Sequence, residues 1–94
     1  MTEPENAPRP GAEGLRDWIA GRVAEYTGRS RDDIRTDAPL ADYGLDSVSM
    51  VMLAGDLEEA LGLALAPTVA LHHPTIGDLA DHLAGELEKT PERA

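Results

Sequence analysis

Residues 46–75 have the sequence DSVSMVMLAGDLEEALGLALAPTVALHHPT, and the helix signals in this stretch decide the fold. Asp46 is a favoured N-cap, and Gly62 is a favoured residue just past a helix end. The stretch therefore predicts a helix that begins at Asp46 or Ser47 and runs to about Leu61. Its leucines recur every four residues and share one face, as packing on a core requires: Leu53, Leu57 and Leu61.

The remainder of the same stretch predicts two more helices. Thr68 is a competent N-cap and Pro74 cannot continue a helix, so a short helix is expected at about 68–72. Thr75 then opens the last helix. Its apolar residues follow the helical period and form one core-facing stripe: Ile76, Leu79, Ala80, Leu83 and Leu87.

Upstream of residue 46 the sequence predicts one further helix and a long loop. Apolar residues at helical spacing indicate a helix at about 13–27, which Gly28 ends. The stripe consists of Leu15, Ile19 and Val23, with Trp18 and Tyr26 beside it. Residues 28–45 show no sustained period but contain three separate apolar anchors: Ile34, Leu40 and Tyr43. The expected fold class is therefore all-α, a four-helix bundle with three long helices, one short helix and a long ordered loop between helices 1 and 2.

Length and composition limit the number of domains and the class of protein. The 94 residues suffice for one domain with one small core. We expect that domain at 12–89, between a disordered leader at 1–11 and a disordered tail at 90–94. Phenylalanine is absent, and one Trp and two Tyr leave little material for the walls of a catalytic cleft. An enzyme is therefore not expected. We also expect the protein to be a monomer.

Charge and the lack of cysteine limit the cellular compartments and the binding partners that we expect. A chain without cysteine suits a reducing cytoplasm, and no run of about 18 apolar residues is present that could cross a bilayer. The net charge is −10, and neither Lys nor Arg occurs between Thr36 and Glu88. We therefore expect no binding to nucleic acid or to a membrane. The acidic surface is either simply solvated or attracts basic faces of partner proteins.

The segment Gly44-Leu45-Asp46-Ser47-Val48 is the candidate for chemistry. A glycine turn leads here into a capped helix that has a serine in its first turn. The unpaired amides and the positive end of the helix dipole favour a negative group, so a phosphodiester on the Ser47 hydroxyl would be stabilised. For these five residues alone, simple capping by Asp46 and Ser47 is the commoner explanation.

The spacing of three motifs resembles the carrier domains of modular polyketide synthases. In that family an Asp-Ser-aliphatic triplet, a Gly-aliphatic pair and a His-Pro-Thr motif occur in this order; here they are Asp46-Ser47-Val48, Gly62-Leu63 and His73-Pro74-Thr75. The resemblance covers about residues 12–88. It implies that a phosphopantetheinyl transferase attaches 4'-phosphopantetheine from coenzyme A to Ser47, with Asp46 as the adjacent acid. The arm would hold acyl groups as thioesters, and Ser47 itself would perform no catalysis.

The same resemblance implies a docking face on the outer side of helix 2, where the transferase and partner enzymes bind. Its apolar or small members would be Val48, Val51 and Gly55. Charge would come from three acids: Asp56, Glu58 and Glu59. Ordinary core packing of the valines and solvation of the acids are the alternatives.

The resemblance also bears on partners and cargo. It implies an acyltransferase or a fatty-acyl-AMP ligase as the loading enzyme, and a ketosynthase or other tailoring enzymes as recipients. The segment Ala66-Pro67-Thr68 is similar to carriers that such ligases load. Polyketide or related biosynthesis is the main interpretation, and a peptidyl or aminoacyl carrier of a nonribosomal pathway is the alternative.

Three unrelated functions are weighed against a carrier. A hydrolase could pair Ser47 with a histidine, but the serine lacks the flanking glycines of a nucleophile elbow. A metal site would have to use residues whose spacing matches no common motif, namely His72, His73 and His82 with Asp78 or Asp81. The third alternative is a helical interaction module that is never modified.

Overall fold

A computed structural model describes residues 11–89 and contains four α-helices. They are α1 (Gly11–Thr27), α2 (Ser47–Leu61), α3 (Val69–His72) and α4 (Ile76–Lys89). No strand is formed within this part of the chain, so the expected bundle of three long helices and one short helix is confirmed. None of the described helices is long and apolar enough to cross a membrane.

The helix ends follow the capping signals, with two exceptions. α1 begins at Gly11, two residues earlier than predicted, so Gly11 belongs to the helix and not to the leader. Residues 1–10 and 90–94, which composition predicts as disordered, lie outside the described residues. Thr75 caps α4 as expected, since its Oγ1 accepts from the Asp78 amide at 3.0 Å. Thr68 occupies the N-cap position of α3 as predicted, but its side chain forms no capping hydrogen bond.

One apolar core joins the four helices. α1 packs mainly on α4, and α3 packs on α2. The predicted stripes of α1, α2 and α4 supply the centre of this core, although Leu61 and Leu87 at the helix ends are only partly buried. The largest fully buried side chains are Leu15, Ile19, Val23, Leu40, Leu53, Leu57, Ile76, Leu79 and Leu83.

Two short 3-10 helices, Arg31–Asp33 and Leu40–Tyr43, order the long loop between α1 and α2. The sequence predicts this loop as ordered but gives no period from which such short turns could be recognised. Its three predicted anchors hold: Ile34 and Leu40 are buried, and Tyr43 packs against the core.

Backbone hydrogen bonds tie the loop to the beginning of α4. The Leu40 amide donates to the Pro74 carbonyl at 2.7 Å, and the Gly77 amide donates to the Thr36 carbonyl at 2.8 Å. These bonds fix the path of the loop, and therefore the point at which α2 begins.

Candidate functional site

A tight turn leads the chain from the loop into α2. Gly44 has φ +82°, a left-handed conformation that glycine adopts without strain. The next residue, Leu45, is buried and anchors the turn on the core. Asp46 is extended and acts as the N-cap, so Ser47 is the first helical residue, and its side chain is exposed.

Asp46 holds the first turn of α2 together. Its carboxylate accepts a hydrogen bond from the Ser49 amide at 2.9 Å. That bond, together with one from the Ser49 side chain, lowers the pKa of Asp46 below its usual value. Asp46 is therefore an ionised cap at neutral pH, as the sequence predicts.

The beginning of α2 suits a phosphodiester on Ser47. The free amides and the positive end of the helix dipole favour an anion at this point. Because Ser47 is exposed while Leu45 and Met50 on either side are buried, a flexible arm on its hydroxyl extends into solvent without disturbing the core. A covalent phosphopantetheine group is therefore compatible with this turn.

An apolar strip of three exposed side chains follows Ser47 along α2. Val48 is 65% exposed, Val51 41% and Met52 54%, whereas Leu53 and Leu57 on the core face are fully buried. The alternative that the two valines belong to the core is therefore wrong. Sequence reasoning missed Met52, although its position four residues after Val48 places it on the same face.

On α3, Leu71 is a further exposed apolar side chain, at 45%. It belongs to a helix that packs on α2. The apolar period does not predict its exposure, because a four-residue helix is too short to show one.

Asp56 is engaged within the protein. Its carboxylate accepts a hydrogen bond from the Tyr26 hydroxyl, and the same oxygen lies 3.6 Å from Nε of Arg22. Burial, followed by the bond to Asp56, raises the pKa of Tyr26 to about 12. Asp56 therefore connects α2 to α1 through polar contacts.

The other two acids of α2 differ from one another. Glu58 accepts a hydrogen bond from the Leu65 amide at 3.0 Å and so closes the turn that follows the helix. Glu59 is exposed, and no hydrogen bond or ion pair reaches it from the described residues. Of the three acids, Glu59 is the one whose charge faces solvent without an internal contact.

The histidines form a pair at the junction of α3 and α4. The rings of His73 and His82 stack with their centroids 4.1 Å apart and their planes at 16°. Burial and the neighbouring His82 and His72 lower the pKa of His73, while Asp78 opposes this effect. Among residues 11–89, no three His, Asp or Glu side chains are grouped as a metal ion would need.

A groove of about 360 Å³ is lined by residues of α1 and the loop. Its lining is polar or charged throughout: Glu13, Arg16, Asp17, Arg31 and Thr36. Two ion pairs, Arg31–Asp17 at 2.9 Å and Arg16–Asp81 at 3.2 Å, engage its arginines. No apolar residue lines this groove, whereas substrate clefts are lined mainly by apolar and aromatic residues.

Solved structures of similar shape are carrier proteins. A free-standing peptidyl carrier protein from Acinetobacter baumannii is 34% identical, with a TM-score of 0.78 over 82% of this chain and 96% of that one. The acyl carrier protein LipD from Actinoplanes friuliensis is 39% identical, with a TM-score of 0.69 over 96% of this chain and 98% of that one. The fold is that of a carrier.

Sequence comparison identifies the family. The family model for the phosphopantetheine attachment site matches residues 17–83, and the chain belongs to that family. Polyketide synthase GfsA from Streptomyces halstedii is 46% identical over 84 residues, which are 85% of this chain and 1% of that protein. The chain thus spans a small fraction of the polyketide synthases it matches.

These findings define the role of the domain. It is a carrier domain and not a catalyst, and its cofactor is covalently bound 4'-phosphopantetheine.

Proposed function

We propose that Ser47 bears the phosphopantetheine arm. The observation that carries this proposal is the position of Ser47: an exposed hydroxyl on the first residue of α2, directly after the N-cap Asp46. The Ser47 hydroxyl gives its proton to a base of the transferase, and its oxygen bonds to the phosphorus next to pantetheine. The P–O bond of the coenzyme A pyrophosphate breaks, and 3',5'-ADP leaves. The product is a phosphodiester at a helix N-terminus, where negative charge is favoured.

This geometry gives the arm, Ser47 and Asp46 different roles. When bound, phosphopantetheine supplies a thiol, which the chain lacks because it has no cysteine. Ser47 is the anchor of the arm, and Asp46 keeps the turn in shape. Attachment to a mobile arm raises the effective concentration of the acyl group at each partner active site. The acid and base groups of the reactions belong to those partners.

The outer face of α2 is the proposed docking surface. Val48, Val51 and Met52 provide exposed apolar contact beside the anchor, and Glu59 provides an accessible negative charge. Asp56 and Glu58 add to the negative electrostatic potential of this face. Their internal hydrogen bonds also stabilise its structure. Weak and reversible binding suits a carrier that must visit several enzymes.

The proposed partners are those of an assembly line. A phosphopantetheinyl transferase modifies Ser47, an acyltransferase or a fatty-acyl-AMP ligase loads the arm, and a ketosynthase or tailoring enzymes receive the acyl group. The similarity to polyketide synthase GfsA supports polyketide intermediates as cargo. The similarity to a peptidyl carrier protein supports aminoacyl groups as a second candidate.

Intact-mass measurement tests the attachment site. The purified chain, incubated with coenzyme A and a broad-specificity phosphopantetheinyl transferase, should gain the mass of one phosphopantetheine. Ser47→Ala should gain none. Ser49→Ala is the matched control, since Ser49 lies in the same helical turn and should leave the gain intact. A gain that survives in Ser47→Ala would refute the assignment.

The cargo is tested in the producing cell. Mass analysis of the acyl group trapped on the protein should identify a polyketide-type acyl chain. An amino acid or peptide on the arm would instead support the second candidate.

A further inference from the structure

The hydroxyl of Tyr43 joins two parts of the long loop that lie eight residues apart in the sequence. It accepts a hydrogen bond from the Arg35 amide at 2.7 Å and donates to the Arg35 carbonyl at 3.3 Å. One side chain therefore satisfies both backbone polar groups of one residue, as a neighbouring strand would. We call this pair of contacts the Tyr43 clamp. Packing of the ring against the core needs no hydroxyl, so the clamp is separate from the role of Tyr43 as an apolar anchor.

One side of the Tyr43 clamp belongs to a part of the loop that is fixed to α4. The residue after Arg35 is Thr36, whose carbonyl accepts the hydrogen bond from the Gly77 amide at 2.8 Å. On the other side of the ring, the guanidinium carbon of Arg29 lies 5.5 Å from the ring centroid. Arg29 stands two residues after the end of α1. Tyr43 is therefore held between the end of α1 and a segment that is bonded to α4.

The chain after Tyr43 leads directly to the proposed modification site. Tyr43 is the last residue of the 3-10 helix Leu40–Tyr43, and Gly44, with φ +82°, lets the chain turn. The Gly44 amide donates to the Ala41 carbonyl at 3.0 Å, which keeps this turn tight. Ser47 is four residues after Tyr43, at most about 14 Å of extended chain. A shift of the tyrosine therefore changes the position of Ser47.

The buried side chain of Leu45 and the Tyr43 clamp hold this turn in different ways. Burial of an apolar group is non-directional, so Leu45 keeps the turn against the core without fixing its orientation. A hydrogen bond weakens steeply when its angle departs from the preferred range. The Tyr43 clamp therefore sets the orientation in which the turn presents the beginning of α2.

We infer that Tyr43 is a positioning residue for the modification of Ser47, because its hydroxyl keeps residues 44–47 in the arrangement that the phosphopantetheinyl transferase binds. This inference rests on the proposed modification of Ser47. An enzyme that needs one arrangement binds the carrier more weakly in proportion to the fraction of molecules that have it. Loss of the clamp should raise KM and leave kcat unchanged, since a saturating carrier concentration supplies enough molecules with the ordered turn.

Transferase kinetics on the full chain measure this effect. Tyr43→Phe removes the hydroxyl and keeps the ring. It should raise the KM for the carrier about two- to fivefold at unchanged kcat, the range expected for the loss of one hydrogen bond.

Leu87→Ala is the matched control for general destabilisation. Leu87 is a partly buried core residue near the end of α4, and it lies about 15 Å along the helix axis from Gly77, where the loop is bonded. Leu87→Ala should lower Tm at least as much as Tyr43→Phe. It should leave KM and kcat unchanged when the assay is run well below both Tm values.

Amide hydrogen exchange shows whether the turn itself changes. The Ser49 amide donates to the Asp46 carboxylate at 2.9 Å and so reports on the first turn of α2. Its exchange should accelerate about two- to fivefold in Tyr43→Phe, by a factor similar to that of KM. In Leu87→Ala it should stay the same, because a helix start exchanges through local opening.

The outcomes separate the two proposals. If the unsubstituted chain gains no phosphopantetheine, the assignment of Ser47 fails. If the chain is modified and Tyr43→Phe has the same KM, or Leu87→Ala raises KM equally, the positioning role alone is overturned. If KM rises in Tyr43→Phe while the exchange of the Ser49 amide is unchanged, the hydroxyl contacts the transferase directly, which also overturns the positioning role.

Discussion

The backbone amide of Gly77 donates to the carbonyl of Thr36 at 2.8 Å, and a Cβ atom on Gly77 would lie 3.3 Å from that same oxygen. The first turn of α4 and the long loop are therefore in close backbone contact. This contact, the buried side chain of Leu40, and the polar pairs Tyr26–Asp56 and His73–His82 each lead to a prediction.

Gly77→Val should destabilise the protein by about 1–3 kcal/mol, because a branched side chain must push the loop away from α4. Gly85→Val, in the same helix but with open space around its Cβ, should have little effect or stabilise slightly. Urea unfolding of both variants measures the difference. Equal free energies of unfolding for the two variants would show that the loop can move away from Gly77 without destabilising the protein.

Leu40→Ala should lower the free energy of unfolding by about 3 kcal/mol, because a fully buried leucine is removed from the point where the loop meets Pro74. Leu71→Ala removes a side chain that is 45% exposed and should change it by less than about 1 kcal/mol. Chemical denaturation tests both. A small loss for Leu40→Ala would mean that the loop does not depend on its anchor.

Tyr26→Phe should destabilise the protein by about 1 kcal/mol, since Asp56 loses its hydrogen-bond donor from α1. Tyr43→Phe is the comparison, because it removes a tyrosine hydroxyl that accepts from the Arg35 amide within the loop and does not contact Asp56. Both are measured by urea unfolding.

The same pair also predicts an alkaline effect. The pKa of Tyr26 is raised to about 12, above the ordinary value of 10.0 for tyrosine. Its stabilising contribution should be complete below pH 10 and should be lost as the pH rises towards 12. Ultraviolet titration should show one late-ionising tyrosine that disappears in Tyr26→Phe. A Tyr26 that ionises at its ordinary pKa would contradict this.

The His73–His82 pair predicts an acid effect of the same kind. The pKa of His73 is lowered from its ordinary value of 6.5, so the unfolded chain binds the proton more readily than the folded one. Stability is fully present above pH 6.5 and should fall as the pH drops through the pKa of folded His73. NMR titration of the His73 ring measures that pKa directly. In His82→Gln it should rise back towards 6.5, and an unchanged or lower value in that variant would refute the role of the stack.

The helices were predictable because their signals are local. Asp46 caps α2 and Gly62 ends it at φ +70°, as the sequence indicates, and the apolar stripes locate the core. The beginning of α1 is predicted two residues late because no Ser, Thr, Asp or Asn stands directly before Gly11 in the sequence. The 3-10 helices of the loop escaped prediction, since a turn of three or four residues has no period.

The acids of α2 show what a single sequence leaves open. Asp56 and Glu58 occur in a run of acidic residues that resembles a solvated helix face, yet both accept internal hydrogen bonds. The donor to Asp56 is Tyr26, thirty positions earlier in the chain. A contact of that range depends on how α1 crosses α2, which helix propensity and capping do not determine.

The bonds between the loop and α4 also constrain the order of events during synthesis on the ribosome. The turn before Ser47 follows a loop whose partners, Pro74 and Gly77, leave the exit tunnel more than thirty residues after Leu40. Until they emerge, the loop lacks its backbone partners. The nascent chain therefore completes the surroundings of Ser47 only after the beginning of α4 is available.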